Sequence, residues 1–489
     1  MEEAASGRQY LTAFGPDFVW GAATAAYQIE GATTEDGRGP SIWDTFSRLP
    51  GKTRNGDTGD VACDHYHRWR EDLTIAADLG LAAYRFSVSW VRLQPTGRGS
   101  LNRSAVGFYR SLLEYLHELG IRPFVTLYHW DLPQELEDVG GWPERDTALR
   151  FAEYAQRTAE ALGDLAEDWI TLNESWCQAF NGYHLGVHAP GRRELPAAVA
   201  AAHHLNLAGG LATQAIRSVH AKASVGIAHI LTDVRPASQD PEDEAAARRV
   251  DANHNRLFLD PLLGGGYGEE VVELHGPHGL LERIKPGDDE VMAEAIDFLR
   301  VNHYQQVMAS DDLDEPFLRS RIRAAAPAAT SLGWSVRPES LRNVLVRVDR
   351  EYGHIPSYVT ENGACFEDYV GPDGEVRDRE RIDYLDRYVT AVAQAASEGV
   401  DVRGYFAWSL LDNFEWAEGY RKRFGLVYVD YRTQERIPKA SARWYRDLIL
   451  QHRNLLGVPA RHDVARVRNP AINPAPPVSM RQAPRQKEI

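Results

Sequence analysis

AAYRFSVSWVRLQPTGRGSLNRSAVGFYRSLLEYLHELGIRPFVTLY, residues 82–128, decides the architecture of the chain. It opens with an apolar run, 82–89, too short for a helix, and closes with a second, 122–128. Between them Val106, Tyr109, Leu113 and Leu116 recur at helical spacing. Ser104 is the expected N-cap and Gly120 the expected stop. Strand, helix, strand in that order is one unit of a parallel sheet, because parallel neighbours need a long crossover.

The unit repeats outward in both directions. Residues 18–20, 168–172, 224–230, 296–301, 357–360 and 402–408 read as six further strands, and 147–162, ending at Gly163, as another helix. Eight strands alternating with helices predict an α/β fold, a single (β/α)8 TIM barrel with extended βα loops. An open doubly wound sheet is the alternative, and no GxGxxG opens a helix to support its dinucleotide-binding form. The barrel is expected over 14–455, preceded by an N-terminal extension over 1–13. The proline-rich, polar stretch 469–489 is expected to be a disordered tail. Two polar inserts, 232–244 and 311–338, are the expected builders of the barrel mouth.

The 489 residues carry a net charge of −16, which argues against nucleic acid or a membrane surface as partner. Neither a signal peptide nor a run of about 20 apolar residues is present. Cys63, Cys177 and Cys365 form no CxxC pair, so they read as reduced thiols of a cytoplasmic enzyme. No metal or cofactor is expected: His203 and His204 are adjacent on a helix and point apart, and His65 and His67 read as structural or exposed. A Ser-His-Asp site would need a GxSxG elbow, which is absent. An oligomer is possible but not indicated.

Barrel chemistry sits at the C-terminal ends of the strands. Polar or aromatic residues mark seven of the eight strands: Gln28, Arg85, His129, Asn173-Glu174, Asn302-His303-Tyr304, Glu361-Asn362, Trp408 and Glu415-Trp416. One glutamate at a strand end is an ordinary cap or surface charge, and one arginine can be half of a buried ion pair. Two glutamates, a histidine, an arginine, two asparagines and several aromatics aimed at one mouth are another matter. Glycosidic cleavage needs such a pair, one carboxyl protonated and one ionised. Arg85 would keep its partner ionised. Asparagine can hold a sugar hydroxyl and tryptophan can stack on a pyranose; the chain has 12 tryptophans.

These stretches resemble glycoside hydrolase family 1, the β-glucosidase family. FVWGAATAAYQIEGA, YRFSVSW, TLYHWDLP, ITLNES, GVHAPG, TENG, GYFAWSLLDNFEWAEGY and RFGLVYVD follow the family's order from Phe14 to about Leu450. The resemblance implies Glu174 as general acid/base and Glu361 as nucleophile. It implies sugar binding by Gln28, His129, Asn173, Trp408, Glu415, Trp416 and Phe424. Asn302 and Tyr304 would flank the centre, Trp334 would support the leaving group, and Arg85 would pair with Glu361. Three positions depart from the family pattern: Ser175 replaces a proline, His303 the first tyrosine of NYY, and Gly209-Gly210 a histidine-containing segment. Together they suggest a specialised member with an unusual aglycone.

The expected activity is therefore that of a retaining β-glycosidase acting from the non-reducing end of an unphosphorylated small-molecule β-glycoside. A transglycosylase using the same intermediate and a non-catalytic sugar-binding barrel are the alternatives.

Overall fold

Residues 8–327 and 329–457 are described by a computed structural model. Eight parallel strands close into one barrel: β1 (Val19–Ala23), β2 (Ala83–Ser87), β3 (Arg122–Tyr128), β4 (Asp168–Asn173), β5 (Ser224–Ile230), β6 (Phe298–Asn302), β7 (Ser357–Asn362) and β8 (Val402–Trp408). Each pairs with its neighbour in sequence, and β8 returns to β1 with Val19 opposite Gly404. All eight expected strands are present. β1 and β6 run past their apolar signal because their last residues, Gly21–Ala23 and Asn302, are small or polar.

The larger helices are α1 (His65–Asp78), α2 (Arg103–Glu118), α3 (Arg145–Leu162), α4 (Leu195–Val219), α5 (Pro241–Asp251), α6 (Glu339–Tyr352), α7 (Arg379–Ser397) and α8 (Ala440–Leu455). α2 buries Tyr109, Leu113 and Leu116 as its periodicity requires. Its cap differs from expectation: Asn102, in extended backbone, accepts the Ser104 N–H at 3.1 Å, so Ser104 lies inside the first turn. Gly120 takes φ +68° just beyond the last turn, a conformation that favours glycine.

The barrel is filled, not hollow. Phe124, Phe298, Tyr358 and Phe406 meet inside it with Ala83. Gly21 and Gly226 make room, since a Cβ on Gly226 would stand 2.0 Å from the Phe298 ring and one on Gly21 2.4 Å from Phe406. Fully buried Arg300 lies among these rings, its Cζ 4.2 Å from the centroid of Phe124 and 4.4 Å from that of Phe298. This plug is the floor on which the polar C-terminal layer rests.

The inserts do not act alike. Residues 232–244 contribute the strand Asp233–Pro236 and the start of α5, which with Gln306–Asp311 and Ser320–Ala324 make a separate small sheet covered by α5. The second insert reaches the mouth through Leu332 and Trp334. Within the stretch expected as an extension, Gln9–Ala13 form a short 3-10 helix; Leu11 is buried and the Tyr10 hydroxyl donates to Asp386 at 2.6 Å. The tail 469–489 lies outside the described residues. Among those residues no helix is long and apolar enough to cross a membrane.

Candidate active site

The C-terminal ends of β4, β6 and β7 bring two glutamates together. Glu174 follows β4 directly with φ +50°, and its N–H donates to the Ala228 carbonyl of β5 at 2.8 Å. That left-handed step turns its side chain over the barrel mouth, and left-handed residues of this kind gather at functional sites. Glu361 lies in β7, paired in register with Asn302 of β6. Both side chains are buried.

Their partners differ in a way that sets their chemistry. Glu361 Oε1 forms an ion pair with Arg85, and its Oε2 accepts from the Tyr304 hydroxyl at 2.7 Å. Among the described residues Glu174 forms no ion pair, and Arg85 acts on it only from a distance. Its Oε1 accepts from Asn302 Nδ2 at 2.8 Å, and Cys177 Sγ stands 3.3 Å from its Oε2. Arg85 is held in turn by Thr126 Oγ1 at 3.2 Å and by Asn173 Oδ1 at 2.6 Å. Asn302 Oδ1 accepts from Thr360 Oγ1 at 2.8 Å, which fixes the direction of its amide.

Electrostatics follow from these contacts. Burial and the neighbouring Glu361 push Glu174 up to about 8. Burial also pushes Glu361 up, but Arg85, Tyr304 and Asn302 all oppose it. A single proton shared by the two therefore resides on Glu174, and Glu361 carries the charge. Burial and the same two carboxyls push Glu415 up to about 8. Tyr304, with its own pKa raised by burial and Glu361, keeps the proton that it donates. Burial and Arg85 hold His129 neutral. Its Nε2 lies 3.0 Å from Asn173 Nδ2, an amide nitrogen that can only donate. The His129 proton must then sit on Nδ1, which has no protein partner.

These groups surround a cavity of about 370 Å³. Nine of the expected residues line it: Glu174, Glu361, His129, Tyr304, Trp334, Trp408, Glu415, Trp416 and Phe424. The other four stand one hydrogen bond behind: Arg85 on Glu361, Asn302 on Glu174, Asn173 on His129, and Gln28 Nε2 at 3.5 Å from Glu415 Oε2. Gln28 Oε1 is buried without a protein donor. Trp334, Tyr304 and Phe424 form one aromatic cluster, with centroids 5.4 and 6.2 Å apart across Trp334. Trp416 packs on Trp130 at 4.6 Å and nearly parallel to His129 at 5.8 Å.

Sequence reasoning missed other lining residues, among them Trp176, Cys177, His188, Ile230 and Leu332. A signal existed for some. Cys177 lies one helical turn beyond Glu174, and His188 stands inside GVHAPG. Ile230 ends the strand 224–230 and Leu332 lies in the insert 311–338, but both are apolar, and the strand-end signal rests on polar and aromatic residues. The adjacent histidines part as expected: His203 meets Asp288 at 3.1 Å and His204 the Trp142 carbonyl at 3.0 Å.

Comparison with known proteins agrees with this site. Residues 10–454 match the family described as glycosyl hydrolase family 1. "Beta-glucosidase A" of Thermotoga maritima is 47% identical over 89% of this chain and 97% of its own. A "Bifunctional beta-D-glucosidase/beta-D-fucosidase" of Bifidobacterium breve is 46% identical over 90% of this chain and 98% of its own. The solved structure of the family 1 β-glucosidase from Thermotoga maritima in complex with isofagomine lactam superposes with a TM-score of 0.86 at 45% identity, covering 90% of this chain and 99% of that one. With a closed (β/α)8 barrel, a paired-glutamate mouth and matches over nearly its whole length, the chain belongs to glycosyl hydrolase family 1.

Proposed function

We propose that this enzyme hydrolyses unphosphorylated small β-glycosides from the non-reducing end by double displacement, with retained configuration. Glu361 is the nucleophile: it attacks the anomeric carbon while Glu174 passes its proton to the departing oxygen. Once the glycosyl ester has formed, Glu174 is an ionised base; it takes a proton from water, which attacks the same carbon and frees Glu361. The observation that carries this reading is the asymmetry of the two carboxyls: Arg85 and Tyr304 bond Glu361, while among the described residues Glu174 is bonded by a neutral amide and a thiol.

The proposed roles of the remaining residues follow from their free valences. His129 Nδ1–H offers a donor, Gln28 Oε1 an acceptor, and neutral Glu415 both, which suits neighbouring sugar hydroxyls. Trp408, Trp416 and Phe424 supply apolar faces for the ring, and Trp334 extends the wall toward the leaving group. The lining holds Glu174, Glu361, Glu415 and Glu418 and, among the described residues, no lysine or arginine, so a phosphorylated sugar would find no counter-charge. A cavity of about 370 Å³ suits one sugar and a compact aglycone rather than a polymer threading through. Three buried free thiols suit a reducing, cytoplasmic setting.

The test is NMR of the first-formed sugar during hydrolysis of aryl β-glucoside, β-galactoside and β-fucoside. The β-anomer should appear first and mutarotate later; the α-anomer first would exclude double displacement. In the same assay Glu361→Ala should be inactive, and unimpaired turnover would remove Glu361 from the role.

A further inference from the structure

We propose that Cys177 is a positioning residue for the general acid: its thiol shares with Glu174 the oxygen from which the catalytic proton leaves and to which it returns. The inference rests on the acid/base role proposed for Glu174.

The geometry separates the two oxygens of Glu174. Oε1 accepts from Asn302 Nδ2 at 2.8 Å, and an amide N–H can only donate, so Oε1 is already engaged as an acceptor. The acid proton therefore belongs on Oε2, which Cys177 Sγ faces at 3.3 Å. This distance is enforced by the local fold. The Cys177 N–H donates to the Glu174 carbonyl at 2.9 Å, closing the turn that leads into the Cys177–His184 helix, while the Glu174 N–H is tied to β5. Cys177 is buried and lies on the cavity wall beside the acid.

Sulfur suits a group that must exchange partners twice per turnover. Burial and the adjacent Glu174 push the thiol pKa well up, so it remains S–H. A thiol accepts and donates only weakly. In the acid form the Oε2–H donates a weak hydrogen bond to Sγ and is readily redirected to the leaving oxygen. In the base form the S–H turns to donate to the Oε2 anion and gives way when water supplies a proton. A hydroxyl would grip the anion harder, and an alkyl group would not hold it at all. The Cys63 thiol, by contrast, points to the Asp412 carbonyl at 3.0 Å.

The experiment is the pH profile of kcat/KM for an aryl β-glucoside with a poor leaving group, measured on wild type, Cys177→Ser and Cys177→Ala. Serine strengthens the bond to the anion and should move the alkaline limb down by about half a unit or more; alanine removes it and should move the limb up. Shifts of opposite sign at one position are not produced by a mere packing defect. Limbs that stay in place, or move the same way in both variants, overturn the proposal. If alanine fails to fold, the serine limb decides alone: a downward shift supports it, and none refutes it. Glu174→Ala run in parallel keeps the two readings apart. If that variant retains the alkaline limb, the acid assignment itself fails; if it loses the limb while both Cys177 variants keep it unmoved, only the Cys177 proposal fails.

Discussion

Removing the negative charge of Glu361 should lower the pKa of Glu174 by one to two units. Glu174 stands near 8 because it is buried and because Glu361 repels its ionised form. Burial is unchanged by Glu361→Gln; the repulsion vanishes. Two carboxylates at the roughly 5–5.5 Å that double displacement needs interact by about 3 kcal/mol at an effective dielectric constant near 20. That is about two pKa units. Arg85 sits on Glu361 and screens part of that charge, so one to two units is the expected fall. The assay is a carbon NMR titration of glutamate labelled at its side-chain carboxyl, in wild type and in Glu361→Gln, with the signal assigned by comparison with Glu174→Gln. Glu415 is an internal control, since Glu361 is also the largest charged contributor to its raised pKa, and it should fall as well. A Glu174 midpoint that moves by less than about half a unit would mean that the carboxyls do not share one field, and the acid-then-base cycle would lose its driving force.

Stability should peak near pH 6.5. His188, His204, His254 and His303 are depressed to about 4 by burial, and His229 and His275 to about 3, so below about 6.5 the unfolded chain takes up protons that the folded one refuses. Each such group removes up to about 1.4 kcal/mol per pH unit as pH falls toward its folded value. Asp131 and Glu137, raised to about 7, and Glu174 and Glu415, raised to about 8, act with the opposite sign: their stabilisation is complete below about 4.5 and lost as pH rises to 7–8. Above 6.5 the carboxyls dominate and stability declines; between 6.5 and 4.5 six histidines outweigh four carboxyls; below about 4 the loss from these groups slows as the histidines protonate in the folded chain as well. Thermal melts from pH 4 to 9 check this, and a transition that keeps rising from pH 6.5 down to 5 would refute it. Separately, Arg300→Met should stabilise the fold by about 1–2 kcal/mol. Among the described residues none of the three guanidinium nitrogens has an acceptor, and the several kcal/mol of desolvation exceed what the ring contacts return. Urea unfolding showing a loss greater than about 2 kcal/mol would mean that the guanidinium has an unseen partner, such as internal water.

The fold was legible because each strand is a short apolar run bounded by a turn or a helical stripe. The site was legible because barrel topology converts strand ends into one surface. Glu174 and Glu361 are 187 positions apart in the chain, yet each is the polar residue that ends such a run. Legibility stopped where a residue's meaning depends on a partner in a different unit. Asn102 rather than Ser104 caps α2 because of the extended backbone before it. Arg300 reads as an interruption of a strand, and only closure of the barrel shows that it inserts among Phe124, Phe298 and Tyr358. The separate sheet built from the inserts pairs Asp233–Pro236 with Gln306–Asp311, segments with no shared periodicity.

The three departures from the family pattern bear on where specificity resides. Ser175 is buried directly after the acid, in a turn that the Ala228 carbonyl and Asn302 already hold at Glu174, so the constraint that proline would add is supplied from neighbouring strands. His303 turns away from the cavity: its Nδ1 donates to the Leu231 carbonyl at 2.8 Å and its Nε2 lies 2.6 Å from Ser340 Oγ. Gly210 lets α4 press against the backbone of Val291, where a Cβ would stand 1.8 Å from the carbonyl oxygen. All three adjust the frame behind the wall, and none touches the space a leaving group would occupy. We propose that choice of aglycone falls to the wall itself, to Trp176, Ile230, Leu332 and Trp334, of which Leu332 and Trp334 stand in the second insert. Such a wall can change by loop substitution without disturbing the hydrogen bonds that tell the two glutamates apart.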